Sequence, residues 1–267
     1  MISKLLDLYA FLFAKKVFRK FNSLIFLAGA RGLGILNYKS PYMSGEEPFL
    51  AKFLKRYDEA GYLILDVGAN QGQFATWALR STHKIQVRSY EPSHHASSRL
   101  KSNPALNANR HILVEMGVSS KAGISVIYDY GNNEGSEHAS LYREVLSSVH
   151  GSRSVSSTEI SLTTLDVDLK GVPEKIALLK IDVEGHEKDV LVGAKGILAV
   201  NPPAAILVEF NEMNAVSGTH YYDLRRLIGE KYVPYRLLPG GDVICLENLS
   251  PLFTEIYAYQ NLLFVRR

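Results

Sequence analysis

The chain has 267 residues, of which 46% are hydrophobic and 21% are charged, a composition typical of a folded globular protein and not of a disordered one. This length suits one large α/β domain, or one domain with an appendage. The single cysteine, Cys245, excludes an internal disulfide framework and a cysteine-rich zinc site, and it is consistent with a reducing, cytoplasmic compartment.

The net charge of +3 is unevenly distributed along the chain. Residues 1–40 contain seven lysines and arginines against one acid, whereas residues 41–267 contain 23 basic and 26 acidic residues. The main body therefore has a net charge of −3 and lacks the broad basic field that neutralises nucleic-acid phosphates. We expect no nucleic-acid partner.

Residues 1–40 are predicted to form a basic and apolar helical segment outside a domain at 41–267. Lysines and arginines at 15–20 interrupt the apolar residues, so the segment lacks the roughly 20 apolar residues that cross a bilayer. Asp7 and the lysines after it also argue against a signal peptide. Two interpretations stay open: a peripheral contact with the inner face of an anionic membrane, or a helix packed on the domain or on a partner subunit.

Strand and helix patterns alternate along the rest of the chain. Strands are predicted at 63–67, 85–91, 111–116, 124–128, 160–165, 176–181, 204–210, 232–238, 243–246 and 261–265, and helices at 46–57, from 73, and at 93–101, 186–198 and 221–229. This alternation, which ends in strands, predicts a Rossmann-like, doubly wound α/β fold whose mostly parallel sheet carries an antiparallel edge hairpin. Residues 129–160, rich in glycine, asparagine and serine, are predicted to form a substrate-side loop or lid.

The most informative stretch is the strand ending at Val67 with the glycine turn Gly68–Gly72 after it. A strand, a glycine turn and a helix N-terminus can bind a nucleotide-like ligand through bare backbone N–H groups, although an ordinary tight turn is the alternative. Glu91, which ends the second strand, can accept both hydroxyls of a ribose. NAD sites need G-x-G-x-x-G, whereas Gly68 and Gly72 are separated by three residues, so S-adenosylmethionine is favoured. Asp66 could bind its ammonium group.

Polar side chains that could carry the chemistry end the fourth and fifth core strands. The candidates are Asp182, Glu184, His186 and Glu209. A hydroxyl acceptor needs a base, and Asp182 or His186 is favoured, since the pKa of histidine lies nearest neutrality. The alternative for both is a structural role at a helix N-terminus. With Asn211, these oxygens could also hold Mg or Mn, but the spacing is not a ligand signature and no metal is assigned.

The sequence resembles the FkbM-type methyltransferases over about residues 40–265. The matching elements are Ser44-Gly-Glu46, Asp66-Val-Gly-Ala-Asn-Gln-Gly72, Tyr90-Glu-Pro92, Leu165-Asp166, Lys180-Ile-Asp-Val-Glu-Gly-His-Glu187, Ile206-Leu-Val-Glu209 and Asn261-Leu-Leu-Phe-Val265. The resemblance implies a class I methyltransferase fold with a seven-stranded sheet and an S-adenosylmethionine site. The donor-binding residues it implies are Glu46, Asp66, Gly68, Ala69, Asn70, Gly72, Glu91, Pro92, Val118 and Asp182.

Together these observations predict an S-adenosylmethionine-dependent O-methyltransferase that acts on a hydroxyl of a sugar, a glycan or a glycosylated metabolite. Two alternatives remain: an NAD-linked oxidoreductase, and a membrane-surface binding module whose donor site is not catalytic. The sequence does not identify the acceptor, the base or the oligomeric state.

Overall fold

The computed structural model describes residues 2–106, 109–130, 139–142, 144 and 155–267. The α-helices are α1 Ile2–Phe13, α2 Arg19–Gly32, α3 Pro41–Ser44, α4 Glu46–Phe53, α5 Gln73–Ser81, α6 His94–Ser102, α7 Leu165–Asp168, α8 Glu187–Val192, α9 Lys195–Val200, α10 Glu212–Ser217, α11 Tyr221–Ile228 and α12 Pro251–Thr254. The strands are β1 Tyr62–Val67, β2 Gln86–Tyr90, β3 His111–Val114, β4 Gly117–Val118, β5 Gly123–Tyr130, β6 Val155–Thr163, β7 Lys175–Ile181, β8 Ala205–Phe210, β9 Tyr232–Leu237, β10 Val243–Cys245 and β11 Gln260–Arg266.

The main sheet has the order β10-β9-β11-β8-β7-β1-β2-β3. Strands β8, β7, β1, β2 and β3 are parallel, whereas β11 runs antiparallel to both β8 and β9. The predicted doubly wound, mostly parallel α/β sheet with an antiparallel edge is confirmed. Counted over the described ranges, the sheet has seven longer strands and the three-residue β10 at its edge.

Strand β1 lies in the middle of this sheet and is buried on both faces. Because successive side chains of a strand point to opposite faces, Leu63 and Leu65 pack into one core and Ile64 into the other. Helices α8 and α11 cover the first face, and α4 and α5 cover the second. The continuous apolar run that predicted this strand is thus explained by burial on both sides.

A second sheet, with the order β4-β6-β5, lies apart from the main one. The strand predicted at 124–128 therefore forms, but it lies outside the main sheet. These residues belong to β5, which pairs antiparallel with β6 from Gly123 opposite Leu162 to Tyr130 opposite Val155. Both ends of the predicted 129–160 loop are thus strand. Its residues 131–138, 143 and 145–154 lie outside the described residues.

The helix predicted at 186–198 is two helices, α8 and α9. Gly193 separates them where a Cβ would lie 2.0 Å from the backbone oxygen of Ser119, so only glycine allows this approach. Both carboxylate oxygens of Asp166 then accept hydrogen bonds of 2.8 Å from the N–H groups of Gly196 and Ile197, which begin α9. The helix predicted at 46–57 likewise ends at Phe53, in a 3₁₀ turn.

Helices α1 and α2 fold back on each other and form an N-terminal hairpin, Ile2–Gly32. The side chain of Asn22 donates to the backbone oxygen of Phe13 at 2.9 Å and accepts from the hydroxyl of Tyr9. No side chain of either helix is buried, so neither helix packs into the core of the domain, and packing on a partner subunit stays a prediction. Among the described helices, none combines the length and the apolar character that a bilayer crossing requires. The division into segments 1–40 and 41–267 stays a prediction.

Candidate functional site

A cavity opens at the carboxyl ends of β1, β2 and β7. The chain leaves β1 toward β2 and β3 and returns to β7 on the other side, so the cavity lies where the strand order reverses. Eight of the residues predicted to form the site line it: Gly68, Asn70, Glu91, Pro92, Val118, Asp182, Glu184 and His186.

The glycine turn brings the end of β1 against the end of β7. Gly68 has a φ of +80°, and a Cβ on it would lie 1.7 Å from the backbone oxygen of Asp182. Gly72, with a φ of +78°, begins α5 and packs so closely that a Cβ would lie 2.4 Å from Leu106. Both positions therefore need glycine. Between them, Asn70 also has a positive φ, of 47°.

Glu91 is buried, and both of its carboxylate oxygens are positioned by the backbone. One oxygen accepts from the N–H of Asn70 and the other from the N–H of Ser93, each at 2.8 Å. Burial raises the pKa of Glu91 to about 7, although these two hydrogen bonds oppose the shift. Each oxygen keeps a second lone pair, so the carboxylate can still accept hydrogen bonds from a ligand.

Lys180 provides a buried positive charge behind the cavity. Its ammonium donates to Asp182 at 2.9 Å, lies 3.8 Å from Asp66, and lies 5.2 Å from the ring centre of Phe74. Burial alone would lower the pKa of Lys180, but the carboxylates of Asp182 and Asp66 outweigh it and raise the pKa. Burial raises the pKa of Asp66 to about 6, against the attraction of Lys180.

Three carboxylates cluster at the ends of β7 and β8. Oxygens of Asp182, Glu184 and Glu209 lie within 4.8 Å of one another, and Asn211 donates to Glu209 at 2.9 Å. Burial, followed by repulsion from Asp182 and Glu184, raises the pKa of Glu209 well above its usual value. These are the oxygen ligands that Mg²⁺ and Mn²⁺ prefer. However, Lys180 already compensates part of the charge through Asp182, which reduces the need for a divalent ion.

His186 precedes α8 and lines the cavity. Its Nε2 atom lies 2.9 Å from the hydroxyl of Ser119, and its Nδ1 atom lies 3.4 Å from the hydroxyl of Tyr142 and 3.7 Å from the carboxylate of Asp189. Burial lowers the pKa of His186, against the attraction of Asp189. Ser120 donates to Asp189 at 2.7 Å. The imidazole is thus neutral at neutral pH and held from both sides.

Glu46 reaches the carboxylate cluster from α4. It accepts from the hydroxyl of Ser44 at 2.8 Å, and burial raises its pKa against the attraction of Lys180. Tyr259 lies in the same charged surroundings. Burial raises the pKa of its phenol most, and the negative charges of Glu46 and Glu209 raise it further. This corner therefore concentrates acidic groups around one lysine.

The second sheet supplies an apolar wall opposite the carboxylates. The wall residues are Val118, Ile127, Ile160 and Leu162 on β4, β5 and β6, with Leu141 beside them. Ser140 connects this wall to the turn after β7, because its hydroxyl donates to the backbone oxygen of Glu184 at 2.8 Å. Glu184 itself has a φ of +50°, a costly conformation for a non-glycine residue.

The remaining predicted residues lie next to the cavity but do not line it: Glu46, Asp66, Ala69, Gly72 and Glu209. Sequence reasoning gave no role to Lys180 or Ser119. A lysine inside the apolar run 176–181 was the available signal for the first. Glu187, in the first turn of α8, is buried and accepts hydrogen bonds from the N–H of Gly185 at 3.1 Å and from the side chain of Asn214.

The family model described as Methyltransferase FkbM domain matches residues 66–236. A curated relative, methyltransferase sdnD of Sordaria araneosa, is 30% identical over 154 residues, which is 49% of this chain and 59% of that protein. The chain therefore matches less than two thirds of the length of this relative.

Among solved structures, the fold is similar to an O-methyltransferase from Bacillus cereus in complex with SAH, with 12% identity and a TM-score of 0.45 over 92% of this chain and 90% of that one. Cofactor-bound Rv0187 from MTB has 11% identity and a TM-score of 0.45, over 98% and 96% of the two chains.

Proposed function

The chain belongs to the FkbM methyltransferase family, and on that premise we propose that it transfers a methyl group from S-adenosylmethionine to a hydroxyl of a small-molecule or glycan acceptor. The predictions of this family and of its methyltransferase fold are confirmed. The observation that supports the proposal best is one cavity with the glycine turn and Glu91 on one side and the carboxylates with His186 on the other.

The residues around the glycine turn suit S-adenosylmethionine, whose amino-acid end carries an ammonium and a carboxylate and no phosphate. Glu91 would accept hydrogen bonds from the ribose hydroxyls, whereas the N–H groups of Gly68, Ala69 and Gly72 already donate to backbone oxygens within the chain. The amide oxygen of Asn70, a residue that lines the cavity, has no hydrogen-bond partner within the described part of the chain. It is an acceptor, as a cationic group requires. Pro92 and Val118 would contact the adenine.

S-adenosylmethionine supplies, when bound, a methyl group on a positively charged sulfur. The acceptor oxygen forms a bond to that carbon while the bond from carbon to sulfur breaks, so the protein mainly aligns the two. A hydroxyl is a poor nucleophile until its proton is withdrawn. The proton must therefore pass to a side chain of the cavity.

We assign the proton to His186, acting as the general base. The pKa of His186 is lowered, which favours the unprotonated imidazole, and we assign the tautomer whose Nε2–H donates to the hydroxyl of Ser119, so that the lone pair lies on Nδ1. Once Nδ1 has taken the proton, the carboxylate of Asp189 at 3.7 Å stabilises the imidazolium. Glu209, whose pKa is raised by burial, does not line the cavity and is a weaker base candidate.

A hydroxylated acceptor suits the two sides of the cavity. Asp182 and Glu184 offer carboxylate oxygens to sugar hydroxyls, whereas Ile127 and Leu141 offer an apolar surface to the rest of the molecule. We therefore favour a glycosylated metabolite, with its sugar on the carboxylates. No observation favours the NAD-linked alternative.

Two measurements test this function. Calorimetric titration should detect S-adenosylmethionine binding by the wild type and by Glu59→Ala, an exposed control, and much weaker binding by Glu91→Ala. Methyl transfer from a labelled donor to a panel of glycosides and their deoxy analogues should then identify the hydroxyl. Equal donor affinity of Glu91→Ala and wild type would contradict the proposed site.

We also propose a cytoplasmic location. Cys245 is a free and exposed thiol, which a reducing compartment keeps unoxidised. Cell fractionation with a tagged protein would test this, and recovery among secreted proteins would contradict it.

A further inference from the structure

Within the part of the chain that the structure describes, hydrogen bonds join the N-terminal hairpin to the domain at its base. The buried guanidinium of Arg236 donates to the backbone oxygen of Leu33 at 3.2 Å, and the N–H of Leu36 donates to the backbone oxygen of Tyr259 at 2.8 Å. Gly34 packs so closely on β9 that a Cβ would lie 2.4 Å from the oxygen of Leu237. The position where the hairpin leaves the domain is therefore fixed.

Beyond this base, the hairpin exposes an unusual amount of apolar surface. Phe11 is 79% exposed, Val17 80% and Phe26 71%. Further exposed apolar side chains are Ile2, Leu5, Leu6, Leu8, Leu12, Phe21, Leu24, Ile25 and Leu27. Soluble monomers rarely expose contiguous apolar patches of more than a few hundred Å², so such a surface normally contacts something.

Basic side chains stand among these apolar ones. Lys4, Lys15, Lys16, Arg19, Lys20 and Arg31 lie on the hairpin, and Asp7 is its one acid. Lys15, Lys16, Arg19 and Lys20 cluster at its tip, between the two helices, and all four are exposed. A second hairpin would carry the same excess of positive charge, and repulsion between the two hairpins would oppose pairing. An anionic surface would neutralise both the cluster and the remaining positive charges.

We propose that the N-terminal hairpin docks this enzyme on an anionic lipid surface. Exposed apolar side chains enter the boundary between headgroups and acyl chains, and the lysines and arginines contact lipid phosphates. Both contributions are needed, because the charge attracts the hairpin to the surface and the apolar groups hold it there. The residues of the donor site take no part.

Flotation of the full-length protein with phosphatidylcholine vesicles, with and without phosphatidylglycerol, tests this. The wild type should float with the phosphatidylglycerol vesicles, stay unbound with phosphatidylcholine alone, and lose binding as salt is raised. The combined substitution Lys15→Glu, Lys16→Glu, Arg19→Glu and Lys20→Glu should weaken binding at least about tenfold. Phe11→Ser with Val17→Ser and Phe26→Ser should weaken it to a similar extent.

The matched control reverses four exposed charges on the body: Lys55→Glu, Arg56→Glu, Lys84→Glu and Lys195→Glu. It should float like the wild type. Equal loss in the control, or absence of flotation by the wild type, would overturn the proposal. So would a stable dimer that the hairpin variants convert to a monomer, since a second copy would then cover the hairpin. Donor titration on the same variants should be unchanged, which separates failure of docking from failure of the proposed function.

Discussion

The ammonium of Lys180 donates a 2.9 Å hydrogen bond to the carboxylate of Asp182 at the end of a strand whose other side chains are mostly buried and apolar. The same ammonium lies 3.8 Å from Asp66, which is completely buried. One lysine thus compensates the charge of two carboxylates on neighbouring strands. It joins the strand that carries the glycine turn to the strand that carries the catalytic candidates.

Lys180→Met should destabilise the protein by about 3–5 kcal/mol, because it leaves buried carboxylates without their cation. Urea unfolding would measure the loss. Lys52→Met is the matched control, since its ion pair with Asp242 is exposed, and it should change stability by less than about 1 kcal/mol. Equal stability of Lys180→Met and wild type would show that Asp66 is uncharged in the folded protein.

Glu187→Gln should gain stability relative to the wild type as the pH rises. Burial raises the pKa of Glu187 from 4.5 to about 7, so the folded state binds the proton more tightly than the unfolded state. Protonation of Glu187 therefore stabilises the folded state of the wild type below pH 4.5, and this stabilisation is lost as the pH rises through 7. Unfolding free energies of the two proteins at pH 5 and 8 would measure the difference. Glu230→Gln, at an exposed position, should show no such trend.

Donor affinity should rise about tenfold between pH 6 and 8, because the pKa of Glu91 is about 7 and its ionised form accepts the ribose hydroxyls. Calorimetric titration of S-adenosylmethionine across this range would measure the change. Glu91→Gln should bind more weakly and without this dependence. A flat profile in the wild type would mean that Glu91 does not contact the donor.

His186→Gln should lower kcat by about 10²–10⁴-fold while donor affinity stays the same, as expected for loss of a general base. In the wild type, kcat should fall as the pH drops through the lowered pKa of His186 and its imidazole becomes protonated. Turnover of an acceptor found in the glycoside panel would measure both effects. His83→Gln, at an exposed position, should behave like the wild type. Retention of turnover by His186→Gln would move the base to Asp182 or Glu184.

Gly68→Ala should destabilise the protein by about 4 kcal/mol or more and abolish donor binding. A Cβ at this position would lie 1.7 Å from the backbone oxygen of Asp182, so β1 and β7 would have to separate. Gly171→Ala is the matched control: its φ of +81° is similar, but no atom lies within 4 Å of the added Cβ. It should lose only about 1–2 kcal/mol, from the left-handed backbone alone. Unfolding and donor titration would compare the two.

The glycine turn, Glu91 and the polar strand ends were predictable from sequence, because a few consecutive residues determine each of them. Long-range contacts were not. The role of Lys180 depends on Asp66, which is 114 residues away in the chain, and that of His186 depends on Ser119. The separate sheet was missed for the same reason, since β5 and β6 pair across residues 131–154.

For the N-terminal hairpin, prediction from the sequence failed for a different reason. Its composition indicated helices and a surface-active character, but composition alone could not say whether the apolar side chains face the domain. Asn22 and Tyr9 connect the two helices to each other, whereas the side chains of Phe11 and Phe26 remain exposed and do not enter the core of the domain. Burial is a property of the folded chain and could only be read from the structure.

The short segment Ser119–Ser120 after β4 contacts the start of α8 at two points. The hydroxyl of Ser119 hydrogen-bonds with Nε2 of His186, which precedes the helix, and the hydroxyl of Ser120 donates to Asp189. The position of the sheet that forms the apolar wall is therefore coupled to the position of the histidine assigned as the base. A substitution on β4 or β6 that enlarges the wall for a new acceptor will also shift the imidazole. Acceptor range and catalytic rate are expected to change together in directed evolution, and compensating changes should appear at Ser119 or Ser120.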